Sequence, residues 1–307
     1  MILVLSLNTA IDRTIVVRGL HLGEVHRAQS VHLYAGGKGL NVARALRRLE
    51  QQVRVVGWLG GAPERFVRSQ CADLGIEQRW INIADESRTC VIVLDPDSGE
   101  QTVVNEPGPQ VSEAETEQLL VELRRSAQPG DILCISGSTP PGVPDTLYSQ
   151  IITDLRRLDV RVLVDTSGPA LRESVAARPW AIAPNYEECV ATFGAASMPA
   201  GITRQLAGTV EHALVTLGAE GVLYGHADQI VRALPPRVQA VNAVGSGDAF
   251  VAGWLTGMNR GDDPEDALCL AVACGASNAS RLEPEVGSAD EVQRLLAQVE
   301  IKPEPGE

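Results

Sequence analysis

Two glycine clusters open onto apolar helical patterns, and each sets polar side chains beside bare backbone N–H groups. The first is Ala243-Val244-Gly245-Ser246-Gly247-Asp248-Ala249-Phe250. Its glycines let the chain turn sharply into a helix whose first N–H groups lack intrahelical acceptors and whose dipole favours an anion. Gly245, Ser246 and Gly247 are therefore a candidate anion hole for a phosphoryl group in transfer. Asp248 stands at its mouth, within reach of a hydroxyl whose proton must leave as the oxygen attacks phosphorus. A glycine turn with an aspartate that favours a helix start accounts for the same eight residues, so the octamer alone leaves both readings open.

The second cluster is Ala35-Gly36-Gly37-Lys38-Gly39-Leu40-Asn41-Val42-Ala43-Arg44. Gly36 and Gly37 allow close backbone approach to a ligand, Lys38 offers a point charge, and Asn41 can donate to and accept from hydroxyls. A phosphorylated sugar matches that set; a flexible turn with a surface lysine is the plainer alternative. Lys38 and Lys302 are the only lysines, every other cation being arginine, which makes a lysine among glycines worth reading as chemistry. The upstream glycine of a Walker A loop is missing, and neither cluster completes G-x-G-x-x-G, which demotes a nicotinamide site.

Two shorter stretches add to these. Asn185 and Glu188 lie one helical turn apart, where they could order the water shell of Mg²⁺ beside phosphates; capping of a helix by Asn185 explains them as well. Thr216-Leu217-Gly218-Ala219-Glu220-Gly221 ends a strand with two glycines, suited to the phosphates or ribose of a nucleotide, or to a hairpin turn. Asp12, Arg88, Asn105 to Pro109 and Ser136 to Gly142, with Ser138 inside it, sit near strand ends, where α/β enzymes place ligands. The histidines show no ligand spacing and no G-x-S-x-G elbow occurs, which argues against a zinc site and a serine hydrolase.

The elements that must position these residues alternate. Apolar runs at Ile2–Leu7, Val53–Leu59, Ile132–Ile135, Val160–Val164, Trp180–Ala183 and Ala213–Leu217 predict parallel strands. Helical patterns run over Leu40–Leu49, Ser112–Arg125, Pro144–Leu158, Pro169–Ala177, Gly247–Met258, Pro264–Ser280 and Ala289–Val299. In the first of these, Val42, Ala45, Leu46 and Leu49 share one face, and Arg44, Arg47 and Arg48 fall on others. Residues 12–34 and 79–107 break the alternation with short antiparallel pieces and no long helix, a candidate inserted lid.

With 307 residues, 44% hydrophobic and 21% charged, the chain suits one α/β domain. A net charge of −13 repels nucleic acid and anionic membranes, so neither is expected as a partner. Six cysteines without a C-x-x-C pair read as buried free thiols of a reducing compartment. The apolar start has no basic leader, and no apolar run approaches the ~20 residues of a membrane span. A cytoplasmic protein is expected, and Ile301–Glu307 reads as a fraying tail.

In this order the pieces resemble the ribokinase/PfkB family of sugar kinases over nearly the whole chain. Gly245-Ser246-Gly247-Asp248 is similar to that family's G-A-G-D anion hole and base, Asn185–Glu188 to its N-x-x-E magnesium motif, and Thr216–Gly221 to its nucleotide stretch. Leu7 to Asp12, Gly36 to Arg44, Asn105 to Pro109, Ser136 to Gly142 and Asp165 to Gly168 resemble the branch of 1-phosphofructokinases and tagatose-6-phosphate kinases. The resemblance implies a ribokinase-like fold, a mostly parallel sheet flanked by helices with a small inserted β-sheet lid that also builds a homodimer. It implies ATP and Mg²⁺ as cofactors and a phosphorylated sugar as substrate, with fructose 1-phosphate foremost. Asp12 and Asn41 would hold sugar hydroxyls, and Lys38, Arg88 and the glycine backbone the sugar's own phosphate. Asn185, Thr216, Gly218, Glu220 and Gly221 would meet the nucleotide, and Glu188 the metal through water. Ser246, Ala183, Thr9 and Thr139 depart from the branch's alanine, lysine, proline and leucine. The alternatives are tagatose 6-phosphate or fructose 6-phosphate as substrate, a nucleoside kinase, or a sugar-phosphate sensor without catalysis.

Overall fold

The computed structural model describes residues 1–194 and 198–304. The chain starts with β1 (Ile2–Ser6), leaves for β2 (Ala10–Val16) and β3 (Ser30–Gly36), and returns through α1 (Lys38–Arg48), β4 (Val53–Leu59), α2 (Pro63–Asp73) and β5 (Glu77–Asn82). A second excursion, β6 (Arg88–Leu94) and β7 (Gln101–Asn105), precedes α3 (Glu113–Ser126) and β8 (Ile132–Ser136). Alternation resumes with α4 (Leu147–Arg156), β9 (Arg161–Asp165), α5 (Gly168–Ala176), β10 (Ala181–Ile182), α6 (Tyr186–Phe193), α7 (Pro199–Ala207) and β11 (His212–Thr216). Then come β12 (Val222–His226), β13 (Gln229–Leu234), α8 (Ser246–Arg260), α9 (Pro264–Ala279), α10 (Ala289–Leu296) and β14 (Glu300–Pro303).

One sheet takes ten of these strands, in the order β14-β13-β12-β11-β10-β9-β8-β1-β4-β5. From β11 to β5 every pairing is parallel; β12, β13 and β14 add antiparallel pairs at the other edge. β1 is buried along its length, as a strand covered on both faces must be. Its two-residue period sends Ile2 and Val4 into the core under α1, α8 and α9, and Leu3 and Leu5 into the core under α3 and α4. Because β4 lies on one side of β1 and β8 on the other, a crevice opens beyond the carboxyl ends of β1 and β8.

The second sheet has the order β3-β2-β6-β7. Its outer pairs are antiparallel, and its central pair, β2 with β6, is parallel. The ribokinase-like fold class read from the sequence is borne out. Three details differ. Glu77–Asn82, whose residues from 79 on were assigned to the inserted sheet, form an edge strand of the large one, in register with β4 from Arg54↔Glu77 onward. The expected fraying tail instead begins as β14, paired on β13, with Glu304 taking two hydrogen bonds from Arg232 at 2.9 and 3.0 Å. Residues 305–307 of that tail lie outside the described residues. Finally Arg44, assigned to a polar helical face, is buried at 8% exposure.

Candidate active site

Each glycine cluster becomes the N-terminus of a helix, and the two helices pack on each other with their starts together. Gly37 caps α1 and Gly245 caps α8. Gly245 adopts φ 80°, a left-handed conformation that an L side chain resists. A Cβ on Gly247 would meet no protein atom within 4 Å, so the backbone there faces open space. At Gly36 a Cβ would collide with the Asp12 carboxyl, 2.1 Å away, so glycine there leaves the space in which that carboxyl sits.

Three cavities adjoin at these helix starts. A polar one of about 240 Å³ is lined by Ser6, Asn8, Lys38, Arg88, Ser138 and Thr166, with Glu188 as its one carboxylate. A second, of about 220 Å³, holds Asp165, Ala183, Asn185, Gly245, Gly247 and Asp248; Lys38 and Glu188 line both. The third, about 630 Å³, shares Thr216 and Gly247 with the second and is walled by apolar groups such as Val222, Val238, Phe250 and Val272. The cleft is therefore continuous, polar at one end and apolar at the other. Helix α9, which carries no distinctive motif, walls the apolar end through Val272, Gly275, Ala276 and Ala279.

Asp248 is buried, and its Oδ2 accepts a 2.9 Å hydrogen bond from Asn41 Nδ2. Burial pushes its carboxyl up to about 7; Lys38 pulls against this, Asp165 adds repulsion, and the Asn41 hydrogen bond pulls down again. Lys38 Nζ donates to Asp165 Oδ1 at 3.2 Å and to Glu188 Oε1 at 3.4 Å. Burial alone would weaken that ammonium, but the carboxylates of Asp165, Glu188 and Asp248 outweigh it and hold it protonated. Asp165 ends β9, and its other oxygen accepts from Ser136 Oγ at 2.8 Å. Among the motifs it stood out only as part of a likeness; a carboxylate closing the apolar strand Arg161–Asp165 is the signal that could have found it.

Asn185 and Glu188 do form a capping box on α6: Glu188 N donates to Asn185 Oδ1 at 2.7 Å, and Asn185 N to Glu188 Oε2 at 2.9 Å. Capping uses one oxygen of Glu188 and leaves the other in the cleft against Lys38. Ser246 turns its hydroxyl to Asn278 Nδ2, 3.1 Å away, so the departure from alanine adds no group to the phosphoryl cavity. Asn8 had been noted only within a likeness, yet it lines the polar cavity, and its buried Oδ1 has no partner among the described residues. Such an orphaned acceptor suits a ligand hydroxyl.

Five sequence-predicted residues line none of the three cavities: Gly36, Gly37 and Asn41, the last bonded to Asp248, and Asp12 and Glu220. Asp12 is buried behind Gly36 rather than on a cavity wall; burial pushes its carboxyl up, and Arg44, the Gly37 N–H and Arg88 counter that. Glu220 is exposed in the 3-10 turn Gly218–Glu220, outside the lining of the apolar cavity, whereas Thr216, Gly218 and Gly221 lie on it. That turn is also the hairpin between β11 and β12, the plainer of its two readings.

Residues 1–288 match the profile of the pfkB family carbohydrate kinases. The chain belongs to that family. Membership makes it a phosphotransferase acting on a hydroxyl, with ATP as the co-substrate the family implies. It is similar to a 1-phosphofructokinase of Vibrio cholerae, 33% identical over 98% of this chain and 96% of the relative. It is also similar to a tagatose-6-phosphate kinase of Staphylococcus epidermidis, 30% identical over 98% and 99% of the two chains. Among solved structures, phosphofructokinase-2 of Escherichia coli in complex with substrates and products superposes with TM-score 0.89 at 27% identity, covering 96% of this chain and 98% of that one. Another structure of that protein is a tetrameric inhibited form, TM-score 0.88. Among the described residues no helix is long and apolar enough to cross a membrane, and all six cysteines are free, five of them buried.

Proposed function

We propose that this PfkB kinase phosphorylates a ketohexose monophosphate, foremost fructose 1-phosphate at its 6-hydroxyl, giving fructose 1,6-bisphosphate. The observation that carries the reading is the polar cavity. In a chain of net charge −13 it gathers Lys38 and Arg88 with the hydroxyls and amides of Ser6, Asn8, Asn105, Ser136, Ser138 and Thr166. Two cations, one of them paired with the cavity's single carboxylate Glu188, and a ring of neutral hydrogen-bonding groups fit a phosphorylated polyol, and the cavity opens directly onto Asp248's.

In this mechanism Asp248 takes the proton of the sugar hydroxyl as its oxygen bonds to the γ-phosphorus. The bond from phosphorus to the bridging oxygen breaks and ADP leaves. A carboxyl pushed up to about 7 is matched to that transfer near neutral pH. The N–H groups of Gly245, Gly247 and Asp248 receive the charge that develops on the moving group, that of Ser246 being taken by Ala243 O. Glu188 and Asn185, with Thr216 beside them, lie along the path of the triphosphate, and the apolar cavity takes the base. Glu188, whose Oε1 stays in the cleft while Oε2 caps α6, would hold Mg²⁺ through water. When bound, the metal would supply positive charge against the ATP phosphates.

The small sheet acts as a lid that excludes water, and the same sheet joins two copies into a homodimer. Its loop leaves Leu22 and Val25 each 98% exposed, and Val31, Leu33, Val103 and Val104 add apolar surface alongside. Free, buried thiols accord with a cytoplasmic setting. A sensor without catalysis would have no use for a buried carboxylate poised near neutrality at an open helix N-terminus.

The test is ADP release, measured by a coupled assay, across fructose 1-phosphate, tagatose 6-phosphate, fructose 6-phosphate and free fructose. The expected result is the highest kcat/KM with fructose 1-phosphate. A higher value for another isomer would reassign the substrate, and no ADP above background with any sugar would overturn the catalytic reading.

A further inference from the structure

Arg44 follows Asn41 by three residues on α1 and is 8% exposed. Its guanidinium donates to three segments far apart in sequence or fold. One nitrogen reaches Pro284 O at 3.1 Å and Asn41 Oδ1 at 3.4 Å, and the other reaches Ala35 O. Its carbon also lies 5.6 Å from the centroid of the Tyr34 ring. Ala35 is the second-to-last residue of β3 paired with β2, at the root of the small sheet. Pro284 leans on the anion cradle, for a Cβ on Gly245 would come 3.0 Å from the Cβ of Pro284. One buried cation thus ties the root of the small sheet, helix α1 and the loop behind the phosphoryl cavity.

The amide of Asn41 has one accepting end and one donating end, and a guanidinium has donors only. Since Arg44 faces Oδ1, the amide must turn Nδ2 toward Asp248, where it donates at 2.9 Å. We infer that Arg44 is a positioning residue that sets the orientation of Asn41 and, through it, favours the ionised form of Asp248 and aims it at the cleft. Without Arg44 the amide is free to turn over. Its oxygen would then face a carboxyl that can answer only when protonated, and a protonated acid accepts no proton from a sugar. The inference deepens the proposed mechanism and rests on Asp248 being the base.

The experiment is the pH profile of kcat and the KM values for both substrates in Arg44→Met, with Arg44→Lys and Asn41→Leu as companions and melting curves as a fold check. In Arg44→Met, kcat at neutral pH should fall roughly tenfold to a hundredfold, and the acid limb should move up by about one pH unit. KM for ATP should change less than about threefold. Arg44→Lys keeps the charge but cannot serve three acceptors in one plane; it should lose about tenfold in kcat with a smaller shift of the limb. Adding Arg44→Met to Asn41→Leu should change kcat by less than about threefold, because the amide through which Arg44 acts is already gone. Where Arg44→Met does not fold, the lysine variant decides alone: turnover equal to wild type overturns the inference. So does an unmoved acid limb in a folded Arg44→Met, or losses that multiply in the double variant. If Asp248→Asn turns over normally, or wild type shows no acid limb, the base assignment itself has failed, which is a different outcome.

Discussion

Strand β1 is buried along its whole length, whereas β3 alternates between half-buried and exposed and β7 is exposed over nearly all of its residues. The two sheets meet at the cleft, so the site has a deep half and a shallow half. In the deep half, Asp165 closes a strand covered on both faces, and Asp248 opens a helix buried from Asp248 to Gly257. Charges held this way have fixed neighbours, and burial pushes the Asp248 carboxyl up. The shallow half supplies Arg88, at the start of β6, and hydrogen-bonding groups on a sheet with one face uncovered. Burial on one side fixes the charges; on the other, exposed strands leave the small sheet free for the lid and dimer roles proposed above.

If the halves divide the labour in this way, variants should separate transfer from substrate selection. Lys38 stands at the junction, and its loss has the larger expected effect. A charge-assisted contact to phosphate is worth about 1.5–3 kcal/mol, so Lys38→Ala should cost roughly tenfold to a hundredfold in kcat/KM for fructose 1-phosphate. Turnover of free fructose should barely change. Equal losses on both sugars, measured in the same ADP assay, would break the comparison by making Lys38 part of the transfer step alone. A smaller effect is expected at the uncovered face. The double substitution Leu22→Ser and Val25→Ser should convert a dimer to a monomer in sedimentation and raise the sugar KM by roughly three- to tenfold, with kcat kept within about twofold. An unchanged mass would place the dimer contact elsewhere.

The sequence made the deep half legible and much of the shallow half illegible, for physical reasons. Runs such as Ile2–Ser6 and Ile132–Ser136 are buried throughout and apolar up to their closing serines because helices cover both faces, and the glycines at both helix starts mark where a backbone must lie bare. Glu77–Asn82 and Glu300–Pro303 are sheet edges, so their composition is that of a loop even though the neighbouring strand dictates their pairing. β12 and β13 hide for a related reason: glycine, histidine and glutamine interrupt the apolar pattern where the sheet turns antiparallel. Arg44 is put off the apolar face of α1 by helical periodicity, which treats every arginine as polar. It is buried because distant carbonyls, at Ala35 and Pro284, await its donors, and no local pattern shows that.

The account turns on Asp248 as the group that takes the hydroxyl proton, and Asp248→Asn tests it most directly when transfer, ATP binding and stability are measured together. Phosphoryl transfer should fall by roughly 10²–10⁴ while ATP binding stays within about threefold. Stability should change with a definite sign. With its carboxyl pushed up to about 7, the folded protein holds a proton that the unfolded chain, with an aspartate near ~3.9, has released. This residue's contribution to stability is therefore full below that lower value and is lost as pH rises through about 7. Asparagine removes the loss, so the variant's melting temperature should match wild type near pH ~4 and exceed it by about 2–6 °C at pH ~8. Transfer within twofold of wild type, with ATP binding intact, would contradict the account.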